Sequence, residues 1–354
     1  MKILVYPKDP NPYQNLLYKN LSKKAQITYL KPIMNYYIFG TVFFPVQLLW
    51  YRIHGYKILH LHWTYDFSFP INNIITRTIS TIYFLLLLFW IKLLCYKLIW
   101  TVHNVLPMNK RFIFETEIRK ILSRLCNAKI AHSQFTIDKM KELTINISNT
   151  YIIPHGNYIN NYENKSTKSQ SRKLLKINKN DFTYLFFGNI DPYKGVTMLL
   201  NNFAKLIKQN NNLKLIVAGK CKNAKLMDTF NNYNKFNYLF KPRFINNDEI
   251  QYYFNSCDVV VYPADNITSS GSILLALSFG KPIIYPLIGN LREIPYNVGF
   301  PYNNSNNNGL YIAMANALKN KNKLKKVGNQ AFNYAKTLSW KTIANKTYKL
   351  YNDL

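Results

Sequence analysis

The chain has 354 residues, 48% of them hydrophobic and 18% charged, and its 46 Lys and Arg against 16 Asp and Glu give a formal net charge of +30 at pH 7. That apolar content excludes a mainly disordered chain and suffices for two domains of ordinary size. The basic excess is spread along the whole sequence, so an anionic partner is expected, with nucleic acid and an anionic membrane surface as the two classes.

Cys95, Cys126, Cys221 and Cys257 stand apart with no CxxC pair, which points to neither zinc nor a disulfide framework and fits a reducing cytosol. The chain opens on a strand, Lys2–Tyr6, rather than on the pattern of a signal peptide. A loop through Pro12 leads to a helix at Tyr13–Ser22. No glycine-rich loop stands there; Asn11 or Asn15 could contact a ligand, but a turn and helix cap is the favoured reading.

The stretch 36–53 is unusually aromatic, and Thr78–Trp100 is the most apolar of the chain. Its uninterrupted core, Ile82–Ile91, falls short of the roughly 30 Å of a bilayer's hydrocarbon, and Lys92 and Lys97 break its extension. A buried helix is one reading. The other is an element lying in a membrane interface, with Trp50, Tyr51, Arg52, Trp90, Lys92 and Tyr96 as its edge groups. The positive charge favours the second, which predicts association with a membrane surface rather than a span.

Two strands then end in polar groups: Lys57–Trp63 runs into Asp66, and Lys97–Val102 into His103 and Asn104. Ligands of open α/β sheets gather beyond such carboxyl ends, which makes Asp66 and His103 candidate site residues. His60 and His62 share one strand face. With no third ligand evident they read as packed, hydrogen-bonded residues before a metal pair. A helix at Glu115–Leu125, a strand at Ala128–His132, a helix Phe135–Leu143 capped by Ser133 and a strand Tyr151–Pro154 ending at His155 follow. Residues 160–172 are polar and read as a linker.

In the second half, Tyr184–Gly195 (YLFFGNIDPYKG) is a strand ending at Gly188, a turn with Pro192, and Lys194-Gly195 before a helical run. Val259–Pro286 is strand, loop, helix, strand, with Thr268-Ser269-Ser270-Gly271-Ser272 at the helix start. Helix N-termini carry unpaired N–H groups that bind phosphate, and glycine admits close approach. The bland alternative is a plain N-cap. Arg243, after another strand, is equally a surface residue or a phosphate ligand.

Together FFGNIDPYKG, LKLIVAGK, CDVVVYP and ALSFGKPII resemble, in order and spacing, the C-terminal half of GT-B glycosyltransferases, most closely the retaining family 4 (group 1) of bacterial surface-polysaccharide synthesis. HLHW, TVHN, AHS and IPHGNY extend the resemblance more loosely into the first half. It implies an α/β, GT-B fold: two Rossmann-like domains at 1–160 and 181–335, a linker at 161–180, and a C-terminal helix at 336–354 returning to the first domain. The chain departs from the family where two glutamates are usual, at Ile267 and Leu275, and Asn189 stands where an arginine is usual.

The resemblance further implies a glycosyltransferase using a GDP- or UDP-linked sugar, with Gly188, Asn189, Lys194, Arg243, Ser269, Ser270, Gly271 and Ser272 on the donor. His62, Asn104 and His155 would meet the acceptor, a lipid-linked saccharide at the cytoplasmic membrane face. His103 touches donor or acceptor in a retaining course. In an inverting course His103 or Asp66 is the general base. No DxD metal motif occurs, so no metal and no cofactor beyond the donor is expected. An inactive scaffold that binds a partner enzyme is the alternative. Nucleic-acid binding is disfavoured, because no arginine-rich helix, RNA-binding motif or zinc finger is present.

Overall fold

The computed structural model describes the chain except residues 10, 32–41, 70, 108, 232, 234, 235 and 265–270, and the side chains of residues 65, 66 and 231. It divides into two units, Met1–Gly156 with Trp340–Leu354, and Asn157–Ser339.

In the first unit the strands are β1 (Lys2–Tyr6), β2 (Gln26–Tyr29), β3 (Ile58–Leu61), β4 (Lys97–Val102), β5 (Ala128–Ala131) and β6 (Thr150–Ile152). The helices are α1 (Pro12–Leu21), α2 (Phe44–Ile53), α3 (Ile74–Leu93), α4 (Glu115–Leu125) and α5 (Gln134–Glu142). The six strands form one parallel sheet in the order β2-β1-β3-β4-β5-β6. Period-two alternation divides the core. Leu4, Leu59, Leu98 and Trp100 face α2, α3 and α4, while Ile3, Val5, Ile58 and Ile99 face α1 and the last helix of the chain.

Caps fix the helix starts. Asn11 Oδ1 accepts from Tyr13 N at 3.0 Å, Asn73 and Thr76 close a capping box on α3, and Ser133 caps α5. Helix α3 is longer than its apolar core suggests: 20 residues, long and apolar enough by length and composition to cross a membrane. One face, with Phe84, Leu87, Leu88 and Ile91, is nevertheless packed on the sheet.

The second unit repeats the plan. It opens with α6 (Lys168–Leu174) and continues with β7 (Phe182–Phe187), α7 (Val196–Ile207), β8 (Leu213–Ala218), α8 (Ala224–Asn231), β9 (Tyr238–Lys241) and α9 (Ile250–Ser256). Then come β10 (Val259–Val261), α10 (Gly271–Ser278), β11 (Ile283–Pro286), β12 (Gly299–Tyr302), α11 (Gly309–Lys319) and α12 (Leu324–Thr337). The parallel sheet has the order β12-β11-β10-β7-β8-β9. Where the sequence suggested a linker, α6 forms because Thr167 and Gln170 close a capping box. Its Arg172 donates to Asp258 at 2.9 Å and to the Ser256 carbonyl at 3.0 Å. The last helix, α13 (Trp340–Asn352), belongs to the first unit and packs on α1.

Candidate functional site

In the second unit the carboxyl ends of β7, β8 and β10 meet almost backbone to backbone. Gly188, directly after β7, has φ +133°, and a β-carbon there would lie 2.9 Å from Ser272 Oγ in the first turn of α10. A β-carbon on Gly219, after β8, would fall 1.8 Å from the Gly188 carbonyl oxygen. One on Gly195, at φ +72°, would fall 2.0 Å from the Pro263 carbonyl oxygen. Only glycine combines these backbone angles with such close approach. Gly271 opens α10, where a β-carbon would sit 3.1 Å from the Tyr158 hydroxyl.

Lys194 ends a single 3-10 turn that Gly195 terminates. Its Nζ donates to the Tyr262 hydroxyl at 3.2 Å and lies over the rings of Tyr193 and Tyr262. Burial pulls its pKa down, with Asp191 acting in the opposite direction. Among the described residues Lys194 forms no salt bridge, so a desolvated cation stands beside the glycine-lined strand ends. Gly188, Lys194, Gly271 and Ser272 thus belong to one neighbourhood, and exposed Asn189 borders it. Ser269 and Ser270 lie outside the described residues, as does Ile267. Arg243 is exposed beyond β9 and holds Glu249 through two bonds of 2.9 and 2.5 Å. Those bonds keep the Glu249 carboxyl below the usual carboxylate range.

In the first unit, five of the six histidines gather at the carboxyl ends of β3 to β6. His62, His103 and His132 each directly follow their strand, and His155 comes three residues after β6. These strands are neighbours in the sheet, so the rings step across it at centroid spacings of 5.3, 5.1 and 5.9 Å, close to the strand separation. His62 Nδ1 lies 3.1 Å from His103 Nε2, and His103 Nδ1 lies 3.3 Å from His132 Nε2. His132 Nδ1 donates to the Ile153 carbonyl at 2.9 Å. At the other end His62 Nε2 is 2.7 Å from the Tyr18 hydroxyl, which is 3.0 Å from His60 Nδ1. His60 also meets the Tyr351 hydroxyl and Thr101 Oγ1, each at 2.7 Å.

Burial pushes all five imidazoles toward the neutral form, His60 and His155 to about 3 and His62 and His103 well below the ordinary value. The flat stack of His103 on Trp63, 4.1 Å between centroids at 8°, fixes its plane. His62, expected to meet an acceptor, is 1% exposed with both ring nitrogens bonded inside this row. Asn104 is exposed beside His103, and His155 is half-buried with Nδ1 2.7 Å from the Gly156 carbonyl. Asp66 falls in the 3-10 turn Thr64–Phe67, but its side chain lies outside the described residues. The sequence reading missed the row itself, with Tyr18, His132 and Tyr351. Its signal was histidine at the ends of four consecutive strands.

Comparison with known proteins agrees with this architecture. Residues 167–334 match the family model described as glycosyl transferases group 1. An uncharacterized glycosyltransferase of Methanocaldococcus jannaschii, MJ1178, is 26% identical over 217 residues, 57% of this chain and 59% of that protein. The match thus spans less than two thirds of that relative's length. Among solved structures, sucrose-phosphate synthase of Thermosynechococcus elongatus superposes with TM-score 0.77 at 15% identity, covering 99% of this chain and 98% of its own. Anabaena Alr3699/HepE, solved with UDP, gives TM-score 0.77 at 15% identity, covering 100% and 99%. With two parallel α/β units and the match over 167–334, the chain carries a glycosyltransferase group 1 domain and belongs to the GT-B fold class.

Proposed function

We propose that the protein transfers a sugar of the mannose or glucose type from a UDP- or GDP-linked donor to a lipid-linked saccharide at the cytoplasmic membrane face, in polysaccharide or glycolipid synthesis. The observation that carries the donor half is the convergence of Gly188, Lys194 and Ser272 at the carboxyl strand ends. Lys194 and the N–H groups opening α10 take up the charge that develops on the departing diphosphate. This route needs no metal, and transfer is expected to survive chelation by EDTA. That Anabaena Alr3699/HepE was solved with UDP and with UDP-glucose supports a uridine nucleotide as donor.

The membrane half rests on α2 and α3. Ile75, Ile79, Ile82, Leu86, Phe89 and Leu93 form an exposed stripe along α3, at alternating spacings of four and three residues. Val46, Leu49, Trp50 and Ile53 are exposed on α2, which is tied to α3 by Trp90 Nε1 donating to the Pro45 carbonyl at 2.9 Å. Arg52 and Lys92 lie in the last turns of α2 and α3, Arg52 Nε donating to the Leu94 carbonyl at 2.7 Å and Lys92 Nζ to the Leu125 carbonyl at 3.3 Å. Two apolar stripes with cations at one end suit the interface of an anionic bilayer.

Incubating the protein with labelled UDP-glucose or GDP-mannose and lipid-extracted bacterial acceptor tests the reading, which predicts label in the lipid phase. A second reading, an inactive GT-B scaffold, is favoured by Leu275, 7% exposed in α10 where the resemblance expects a glutamate. It predicts neither transfer nor donor hydrolysis.

A further inference from the structure

The row of imidazoles in the first unit has a direction that hydrogen-bond chemistry fixes. A neutral imidazole has one N–H donor and one bare acceptor nitrogen. The Ile153 carbonyl can only accept, so His132 carries its proton on Nδ1, 2.9 Å away. Its bare Nε2 must then accept from His103 Nδ1–H at 3.3 Å. His103 Nε2, now bare, accepts from His62 Nδ1–H at 3.1 Å, and His62 Nε2 accepts the Tyr18 hydroxyl proton at 2.7 Å. A cationic His103 would donate from both nitrogens and force His62 into the opposite tautomer, with Nε2–H donating to the Tyr18 hydroxyl. The rings around it, Tyr13, Trp63, His62 and His132, carry no negative charge to compensate.

We infer that His62, His103 and His132 form a tautomer lock: all three are neutral with the proton on Nδ1, and His62 and His132 are positioning residues that hold His103 in that form. While the lock stands, neither nitrogen of His103 is available to deprotonate a hydroxyl, so the residue presents its ring rather than acting as a general base. Its relevance to sugar transfer rests on the function proposed above. The tautomer assignment does not.

The test is two-bond 1H–15N correlation spectroscopy of the histidine-labelled full chain at pH 7.5. Pyridine-type Nε2 and pyrrole-type Nδ1 signals are expected for all three residues. His62→Asn keeps an N–H donor where His62 Nδ1 stood and should leave the His103 pattern unchanged. His62→Phe keeps a ring of similar size but removes the donor, and should move the His103 Nε2 resonance downfield while His132 keeps the proton on His103 Nδ1. A wild-type His103 that is cationic or protonated on Nε2 overturns the lock. So does a His103 pattern that His62→Asn and His62→Phe change alike. If His62→Phe fails to fold, the wild-type and His62→Asn spectra still decide.

Discussion

Gly195 and Pro263 come closer than any side chain would allow: a β-carbon on Gly195 would sit 2.0 Å from the Pro263 carbonyl oxygen, at φ +72°. The contact joins the turn carrying Lys194 to the end of β10, so the position of the cation depends on it. Gly195→Ala should destabilise the protein by about 2–4 kcal/mol through the forced φ and the clash. Urea titration checks this, and unchanged stability would mean that the two segments part easily.

Arg243 supplies a contrast within the same unit. Its guanidinium is exposed and committed to Glu249 at 2.9 and 2.5 Å. Arg243→Ala is expected to cost about 1 kcal/mol or less, as exposed ion pairs do. Nucleotide affinity should stay within about twofold, since a 1.4 kcal/mol change would be needed for tenfold. Urea titration reads the stability and calorimetric titration the affinity, each against the wild type.

The exposed stripes on α2 and α3 predict flotation with vesicles containing phosphatidylglycerol and weaker flotation with neutral ones. Ile82→Glu with Phe89→Glu removes two side chains each worth about 1.5–3 kcal/mol when buried, so partitioning should fall more than tenfold. Both residues already face solvent, at 54% and 67% exposed, so the fold should tolerate the change. Equal flotation of the variant would end the interfacial reading.

The histidine row makes the first unit acid-sensitive. Unfolded histidines titrate near 6.5, whereas burial holds His60 and His155 near 3 and lowers His62, His103 and His132. Below pH 6.5 the unfolded chain binds protons that the folded one refuses, so stability falls as pH drops toward the folded values. Each histidine contributes a slope of about 1.4 kcal/mol per pH unit in that window. Melts between pH 7.5 and 5 should show a steep loss. A flat profile would mean that the row protonates in the folded state.

Much of the fold was legible because the signals were local. Strands such as Lys2–Tyr6 and Lys97–Val102 read directly from β-branched and aromatic runs, and caps such as Asn11 and Ser133 announced their helices. Helix α6 was not legible, since a short polar run becomes a helix only through its capping box and the tie from Arg172 to Asp258. At the donor end, Gly188 and Lys194 stood out as glycine and lysine at a strand–helix junction. The grip of Glu249 on Arg243 did not, because nothing in the sequence tells which surface cation has a partner. The histidine row was half visible. His60 and His62 alternate on one strand, but joining them to His103, His132 and Tyr351 needs strand order, a long-range property.

The central claim is that the glycine-lined strand ends with Lys194 hold a nucleotide diphosphate. Thermal unfolding with UDP, GDP and ADP, each alone and as its sugar, for wild type and Lys194→Ala, tests it most directly. Ligand at a hundredfold excess over Kd adds about 2.7 kcal/mol of stability. A clear rise in Tm is therefore predicted with one nucleotide and its sugar, lost in Lys194→Ala. No shift with any nucleotide, or an equal shift in the variant, would contradict the account.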